Sequence, residues 1–444
     1  MYFNTKIVLP YIIYLLLFFQ NNHSPNSRLT NLKVGVNFDA GKGNFSLGEK
    51  VKVSYNVTNQ QTYPITINAL ASLADLDRNI LKTVQKDITI PALQTVNIDL
   101  EVLPNVAGAL YVYLRLNQGK ITLKSKHNFV GYALDQLDRP DTSPNDLQVF
   151  WESAKKELNK IPKQFKLTQR PSPKHGLYEV YDLEYLSANN LTIKGIFRTP
   201  NKKTKVPVVI QIPSLGGAWI DAPSLGENAS RGVPTDFAVL MLNIRNHGKS
   251  DKIVNVTQVT QLVASGANDK DAYFYKGAVL DCIRAVDFLV QRNELDISKI
   301  VVEGASQGGG LSLLLAALDK RVSLCAPDVP FLCDMERLAS GDFWVEKELK
   351  LFVAQNPTCT MWQGKQTMRY FDNKNLSKYI ECPVLMSVGL QDWTCPAHVC
   401  YASFNHITSP KTVMLYPNGA HEGGGKDHRK LKYDWIRTQF GMGN

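Results

Sequence analysis

The chain has 444 residues, more than a single hydrophobic core usually supports, so two domains are expected. Its composition, 44% hydrophobic and 20% charged, is that of an ordinary globular protein. The formal net charge of +10 would fit an anionic partner, but the basic residues form only short groups, at 201–205 and 426–432, with no aromatic-basic pattern. We therefore predict surface lysines and no nucleic-acid partner.

The amino terminus carries the signature of an export signal. Lys6 precedes thirteen apolar residues, 7–19, and a polar stretch follows. That run is short for a bilayer span and suits the core of a signal peptide. Because Pro10 interrupts it and no A-x-A-like cleavage site follows, residues 1–25 are interpreted as a signal peptide or an uncleaved anchor. A secreted or periplasmic protein is expected.

Short alternating segments such as "EKVKVSYNVTNQ" and "GALYVYLRLNQG" fill residues 30–132. Period-two alternation at this spacing predicts a small antiparallel, immunoglobulin-like β-sandwich. The segment contains no cluster of histidine, cysteine or acidic residues that would carry chemistry, so an accessory role is expected. A polar, proline-containing stretch, 133–147, is interpreted as a linker.

From residue 148 to 444, strand and helix patterns alternate, which predicts an α/β domain with a mostly parallel sheet. The first two strand candidates alternate and should form a hairpin, whereas the later ones are nearly continuous apolar runs, as in strands covered on both faces. The eight candidates are "YEVYDLEYL", "LTIKGIFRT", "VPVVIQIP", "FAVLMLNIR", "KIVVEGA", "VSLCAPDV", "PVLMSVG" and "TVMLYP".

Ser306 is the candidate nucleophile. It stands in Gly304-Ala305-Ser306-Gln307-Gly308, a G-x-S-x-G pattern between an apolar strand and a helical run. In the α/β-hydrolase fold a strained strand-to-helix turn lifts such a serine above the carboxyl end of a parallel strand. The flanking glycines are needed because side chains there would collide with neighbouring elements. The alternative is a structural turn or an inactive site.

A serine nucleophile needs a base and an acid that orients the base, in the chain order Ser, Asp or Glu, His. His421 follows the last strand in a glycine-rich loop, and it is the predicted base. Asp392 follows a buried strand and is the predicted acid, although an aspartate there can be a simple helix cap. The other downstream histidines, His398, His406 and His428, are interpreted as structural or, for His428, solvated.

The tetrahedral intermediate needs two hydrogen-bond donors, which main-chain N–H groups can supply. One is expected at Gln307, after the nucleophile, and the other at Leu215 in the loop after the third strand, "IPSLGGAW". Arg245 and His247, which follow the fourth strand, are interpreted as structural, with Arg245 bracing the loops near the site.

No metal or other cofactor is predicted. The chain has seven cysteines, an odd number confined to one region, which does not indicate a disulfide framework. Their spacing also fails as a zinc site, because "CPAHVC" has no matching second pair. Most are predicted to be buried small hydrophobic residues, with one disulfide left open; the positions are 282, 325, 333, 359, 382, 395 and 400.

From about residue 146 to 444 the chain resembles the acetyl xylan esterase and cephalosporin C deacetylase group, carbohydrate esterase family 7. The resemblance rests on "FWESAKKEL", "GASQGGGLSLLLAAL", "APDVPFLCD", "RYFDNKNLSKYIECPVLMSVGLQDWTCP" and "FNHITSPKTVMLYPNGAHEGG". It implies an α/β-hydrolase fold and a triad of Ser306, Asp392 and His421. It also implies a ring-shaped hexamer, which the amino-terminal sandwich would block or remodel.

Two motifs depart from that family. Its arginine-glycine-glutamine motif is Arg245-Asn246-His247 here, and its H-G-Y oxyanion segment is Pro213-Ser214-Leu215. Leu215 thus takes the place of the oxyanion tyrosine. This change replaces an aromatic side chain beside the acyl site, on which the acetyl preference implied by the resemblance depends.

The predicted function is therefore a serine esterase that removes O-acetyl or similarly short acyl groups from carbohydrate, such as acetylated xylan. Two alternatives stay open. One is another α/β-hydrolase, either a peptidase or an acyl-CoA thioesterase or acyltransferase. The other is a non-catalytic carbohydrate-binding protein on a hydrolase scaffold.

Overall fold

The computed structural model describes residues 31–38, 43–170, 177–217, 232–341 and 343–443. The predicted signal peptide or anchor, residues 1–25, lies outside the described residues. The chain divides into two compact units, one of residues 31–105 and 110–130 and one of residues 106–109 and 131–443. Within the described ranges, no helix has the length and apolar character needed to span a bilayer.

The first unit consists of two antiparallel sheets. Its strands alternate between buried and more exposed side chains, as in Val51–Asn59 and Ile65–Ala74, so the predicted period-two pattern corresponds to real inner and outer faces. One sheet has the order β1-β3-β6 and the other β2-β8-β7-β4-β5. The strands are β1 Leu32–Phe38, β2 Asn44–Phe45, β3 Val51–Asn59, β4 Ile65–Ala74, β5 Ile80–Ile90, β6 Thr95–Val102, β7 Gly108–Gln118 and β8 Ile121–Tyr132.

The second unit is an α/β-hydrolase fold, as predicted, built on one large mixed sheet. Its described strands follow the order β17-β16-β15-β14-β12-β13-β11-β10-β9, and pairing is parallel from β13 to β17. All eight predicted strands are present, and β10 and β11 form the expected hairpin. The strands are β9 Lys166–Gln169, β10 Tyr178–Leu186, β11 Thr192–Pro200, β12 Val206–Ile212, β13 Ala238–Asn243, β14 Leu295–Ala305, β15 Leu324–Asp328, β16 Val384–Gly389 and β17 Lys411–Tyr416.

The sheet is one strand wider than predicted, because β9 pairs antiparallel with β10 at the edge. Its four residues, "KLTQ", carry only one apolar side chain, so periodicity gave no signal. The 133–147 segment, predicted as a linker, contains a 3-10 helix, Leu134–Gln136, and the start of α1. The whole segment belongs to the second unit, and it is anchored there because Asn375 Oδ1 accepts from Thr142 N at 3.0 Å.

Helices cover the sheet, and the helix after the nucleophile is almost entirely buried. The α-helices are α1 Leu147–Lys160, α2 Phe274–Leu289, α3 Gln307–Leu318, α4 Met335–Leu338, α5 Trp344–Gln355, α6 Met361–Met368, α7 Asn373–Leu376, α8 Ala397–Phe404 and α9 Gly425–Gln439. Further 3-10 helices span Ala188–Asn190, Val259–Val263, Arg369–Phe371 and Ser377–Tyr379. Because β12, β14, β15, β16 and β17 are parallel, the loops after their carboxyl ends meet at one edge, where ligands bind in open α/β sheets.

Candidate active site

Ser306 occupies a strained turn between β14 and α3. Its backbone angles, φ 58° and ψ −121°, lie outside the regions that most residues adopt, and such strain concentrates at functional sites. Two main-chain bonds to the neighbouring segment fix the turn. Ser306 N donates to Asp328 O at 3.0 Å, and Ser306 O accepts from Phe331 N at 2.9 Å.

The glycines around Ser306 leave room for close backbone contacts. A β-carbon on Gly304 would lie 2.5 Å from the carbonyl carbon of Gly308, and one on Gly310 would lie 2.0 Å from Phe331 O. Real β-carbons do not approach backbone atoms this closely, so side chains at these positions would push α3 away from β14 and from the loop after β15. The predicted strand-turn-helix context is therefore present in the structure.

The structure brings His421 and Asp392 together. His421 Nδ1 lies 2.7 Å from Asp392 Oδ2, and Asp392 Oδ1 accepts from the main-chain N–H groups of Thr394 at 2.7 Å and Cys395 at 3.0 Å. The Asp392 side chain is fully buried, whereas that of His421 is 38% exposed. With the Nδ1–H group donating a hydrogen bond to the carboxylate, Nε2 of His421 carries a free lone pair that can accept a proton.

Cys395 lies beside both Ser306 and this pair. Its thiol is fully buried, which raises its pKa well above the ordinary value, and the neighbouring Ser306 side chain acts in the opposite direction. Among the described residues, no hydrogen bond within 3.5 Å joins Ser306 directly to His421. Such contacts are often long in ligand-free sites and tighten when substrate binds.

Two free main-chain donors flank Ser306. Gln307 is the first residue of α3, so its N–H has no partner within the helix and lies at the positive end of the helix dipole. Leu215 lies in the turn closed by the Gly217 N to Ser214 O bond of 2.8 Å, and its own N–H makes no hydrogen bond among the described residues. Ser214 Oγ donates to Ala305 O at 3.0 Å and holds this turn beside the nucleophile.

Arg245, predicted as a structural brace, has a buried guanidinium that binds groups on two neighbouring segments. Its guanidinium is buried and donates to both oxygens of buried Asp281, from Nε at 2.9 Å and from Nη2 at 2.8 Å. Nη1 and Nη2 also donate to Asn189 Oδ1 and Ala188 O, each at 3.2 Å. The bidentate geometry suits arginine rather than lysine.

Comparisons with known proteins assign the α/β unit to a family. The model of the acetyl xylan esterase family (AXE1) matches residues 130–439, which spans this unit and includes the segment predicted as a linker. The chain belongs to the acetyl xylan esterase family. The resemblance inferred from the sequence is thereby confirmed, and the family's members are carboxylic ester hydrolases.

Two solved structures and one curated relative agree with this assignment. The acetyl xylan esterase from Paenibacillus sp. R4 is 30% identical, with a TM-score of 0.62 over 69% of this chain and 98% of its own. Acetyl xylan esterase 1 from Thermoanaerobacterium sp. JW/SL YS485 is 25% identical, with a TM-score of 0.61 over the same shares. The acetyl esterase Axe7A of Xylanibacter ruminicola is 27% identical over 66% of this chain and 67% of its own length.

One prediction about the terminal helix of this esterase is wrong. His428 and Lys432, on α9, were expected among solvated basic residues, but both side chains are buried. Lys432 Nζ contacts Asp328 Oδ2 at 2.5 Å and Glu303 Oε2 at 3.2 Å, and His428 Nε2 lies 3.1 Å from Asp328 Oδ1. Since Asp328 also binds the Ser306 turn through its carbonyl, α9 and the nucleophile share one partly buried anchor.

Asp392, Cys395 and His421 are the described residues closest to a metal-binding set in the esterase, with ligand atoms within 4.8 Å of one another. The chemistry of these three side chains fits a hydrogen-bonded group better than a set of metal ligands. The bond between Asp392 and His421 already occupies Nδ1 and one carboxylate oxygen, and the buried Cys395 keeps its proton, whereas metals bind the thiolate. All seven cysteines are unpaired and buried, as most were predicted to be.

Proposed function

We propose that this esterase removes O-acetyl or similarly short acyl groups from carbohydrate, such as acetylated xylan or xylo-oligosaccharides, through an acyl-enzyme. The observation that carries the mechanism is the 2.7 Å bond from His421 to buried Asp392, at the same sheet edge as the strained turn of Ser306. The carbohydrate substrate is proposed from the relatives, whose names state that they act on acetyl esters and acetyl xylan.

The proposed chemistry is two-step acyl transfer. His421 Nε2 takes the proton of Ser306 as Oγ attacks the ester carbonyl, and the N–H groups of Leu215 and Gln307 bind the resulting oxyanion. The protonated His421 then gives its proton to the leaving sugar hydroxyl. Water repeats the sequence and releases the carboxylate.

Asp392 has the task of orienting the base. It accepts from Nδ1, fixes the tautomer that leaves Nε2 free, and stabilises the imidazolium that forms during the reaction. Its second oxygen is satisfied by the N–H groups of Thr394 and Cys395, so the carboxylate is held in one orientation. Ser306 is thus the nucleophile, His421 the base and Asp392 the group that orients the base.

A substrate panel tests the proposed specificity. Release of acid is measured from acetylated xylan oligosaccharides, 4-nitrophenyl acetate, butyrate and octanoate, and an acetylated peptide ester, with Ser306→Ala as the blank. We expect the highest kcat/KM on acetyl esters of the oligosaccharides. Cleavage of long acyl chains alone would contradict the acetyl preference while leaving the hydrolase mechanism intact.

Export and self-association are also proposed. The apolar stretch at 7–19 supports secretion or periplasmic location, and the family resemblance supports a homo-oligomer. Amino-terminal sequencing of the protein recovered from its native cells, and light scattering of the purified chain, test the two proposals separately. A retained residue 1 in a cytoplasmic fraction would contradict export, and a monomer at working concentrations would contradict association.

A further inference from the structure

His247 stands where the family's motif has glutamine, and its ring has a defined protonation state. The side chain is only 2% exposed. Its Nδ1 lies 3.0 Å from the carbonyl oxygen of Arg245. Because a carbonyl oxygen only accepts, Nδ1 carries the proton, and Nε2 of the neutral ring is a hydrogen-bond acceptor.

Two donors converge on His247 Nε2. The main-chain N–H of Gly216 lies 3.3 Å away, and the side-chain amide nitrogen of Gln307 lies 3.0 Å away. The orientation of that amide is fixed by its other contacts, since Oε1 accepts from Tyr275 OH at 3.1 Å and Nε2 also points at Pro213 O, 3.4 Å away. Reversing the amide would place its oxygen against two acceptors.

These donors belong to the two halves of the proposed oxyanion hole. Gly216 directly follows Leu215, and Gln307 is the residue whose own N–H is the second oxyanion donor. We propose that His247 is a positioning residue that sets the spacing of the two oxyanion donors by accepting hydrogen bonds from both segments. This role rests on the proposed function, because it matters only if these N–H groups bind the oxyanion.

The role requires a neutral imidazole. Protonation would turn Nε2 into a donor facing two other donors, so the loop at Gly216 would separate from Gln307. Burial lowers the pKa of His247 below its ordinary value, against the opposing effects of the Arg245 carbonyl and the Asp281 charge. The Asp281 carboxylate is itself paired with the Arg245 guanidinium.

The surroundings of the ring supply few other charges. Among the described residues, the Asp281 carboxylate acts on it from α2, and the Arg245 carbonyl accepts from it within its own loop, whereas the Tyr275 hydroxyl on α2 binds the Gln307 amide. The Phe274 ring stacks at 6.5 Å between centroids, α3 contributes the neutral Gln307 amide, and the oxyanion turn contributes main chain. We therefore expect acid to act on the oxyanion hole through His247 itself.

Two substitutions separate positioning from packing. His247→Gln supplies a carbonyl oxygen that can accept the same hydrogen bonds and cannot be protonated, whereas His247→Leu fills space without an acceptor. Misplacing one oxyanion donor costs up to ~10²-fold to 10³-fold in kcat, so we expect His247→Leu to lower kcat by about 10-fold to 100-fold. KM should change by less than about 3-fold, because the oxyanion forms only in the transition state.

An oxyanion mimic gives a second measurement. A methyl trifluoromethyl ketone forms a hemiketal oxyanion on Ser306, so its Ki should rise in His247→Leu by about the same factor as kcat falls. His247→Gln should keep kcat and Ki within about 5-fold of the wild type at pH 8. Unchanged kcat and Ki in His247→Leu would overturn the proposal.

The pH profile decides the matter even if His247→Leu fails to fold. As the pH is lowered below the ordinary titration range of histidine, only the wild type loses its acceptor, because His247 becomes protonated there at its lowered pKa whereas the amide of His247→Gln does not titrate. The ratio of kcat/KM, His247→Gln over wild type, should therefore rise toward low pH. A constant ratio would contradict the proposal. Undiminished activity of Ser306→Ala would instead contradict the proposed function, so the two failures are distinguishable.

Discussion

Replacing Lys432 by methionine would remove the positive centre of the cluster beneath the active site. The Lys432 side chain is 4% exposed, and its ammonium contacts two carboxylates, Asp328 at 2.5 Å and Glu303 at 3.2 Å. Deleting one partner of a buried ion pair leaves an uncompensated charge and typically costs ~3 to 5 kcal/mol. Methionine preserves length and apolar contact, so this electrostatic cost should dominate the change.

The pH dependence of this loss has a definite sign. Burial acts to raise the pKa of Asp328, but Lys432 and His428 outweigh it and hold that pKa below its ordinary value. Without Lys432 the folded-state pKa should rise, so the destabilisation is present at neutral pH and is relieved as acid protonates the carboxylate. The deficit of Lys432→Met should therefore be smaller at pH 5 than at pH 8.

Tryptophan fluorescence is the suitable assay, because all six tryptophans follow residue 130 in the chain and the described ones belong to the second unit. We expect Lys432→Met to lower Tm by ~6 to 10 °C, at about 2 °C per kcal/mol for a unit of this size. The matched control is Lys430→Met, whose side chain is 80% exposed and should change stability by less than about 0.5 kcal/mol. A loss below about 1 kcal/mol in Lys432→Met would refute the argument.

Two further substitutions test other buried groups. Arg245→Lys should lower the free energy of unfolding by ~3 kcal/mol, because one ammonium cannot match both oxygens of fully buried Asp281, while Arg437→Lys, at a partly exposed pair, should change it little. His398 has no hydrogen-bond partner for either ring nitrogen among the described residues, and burial lowers its pKa to about 3. Its protonation in the unfolded chain weakens folding by ~1.4 kcal/mol per pH unit below about pH 6.5, so His398→Phe should gain about 2 kcal/mol relative to wild type between pH 8 and pH 5. Identical pH dependence in the two proteins would contradict that reasoning.

The positions of the site residues could be predicted because they depend on chain order and strand ends. Ser306, Asp392 and His421 each follow a parallel strand, and the carboxyl ends of such strands converge whatever the intervening helices do. The glycines around Ser306 were equally informative, since the close backbone contacts at Gly304 and Gly310 exclude any larger residue.

The remaining features depend on partners that are distant in sequence. Lys432 and His428 lie in a basic stretch that local composition assigns to solvent, yet their carboxylate partners, Glu303 and Asp328, come from strands more than 90 residues earlier. His247 was interpreted as structural because only the folded loop places its Nε2 between Gly216 and Gln307. Spacing alone contains no signal for such contacts.

The most direct test of the account is the identity of the nucleophile. Wild-type protein and Ser306→Ala are treated with a fluorophosphonate, and the modified peptide is identified by mass spectrometry while kcat is measured on 4-nitrophenyl acetate. We expect a single adduct on Ser306, none in the variant, and a fall in kcat of ~10⁴-fold to 10⁶-fold with unchanged folding. An adduct on another residue, or a variant that keeps about a tenth of the activity, would contradict the assignment.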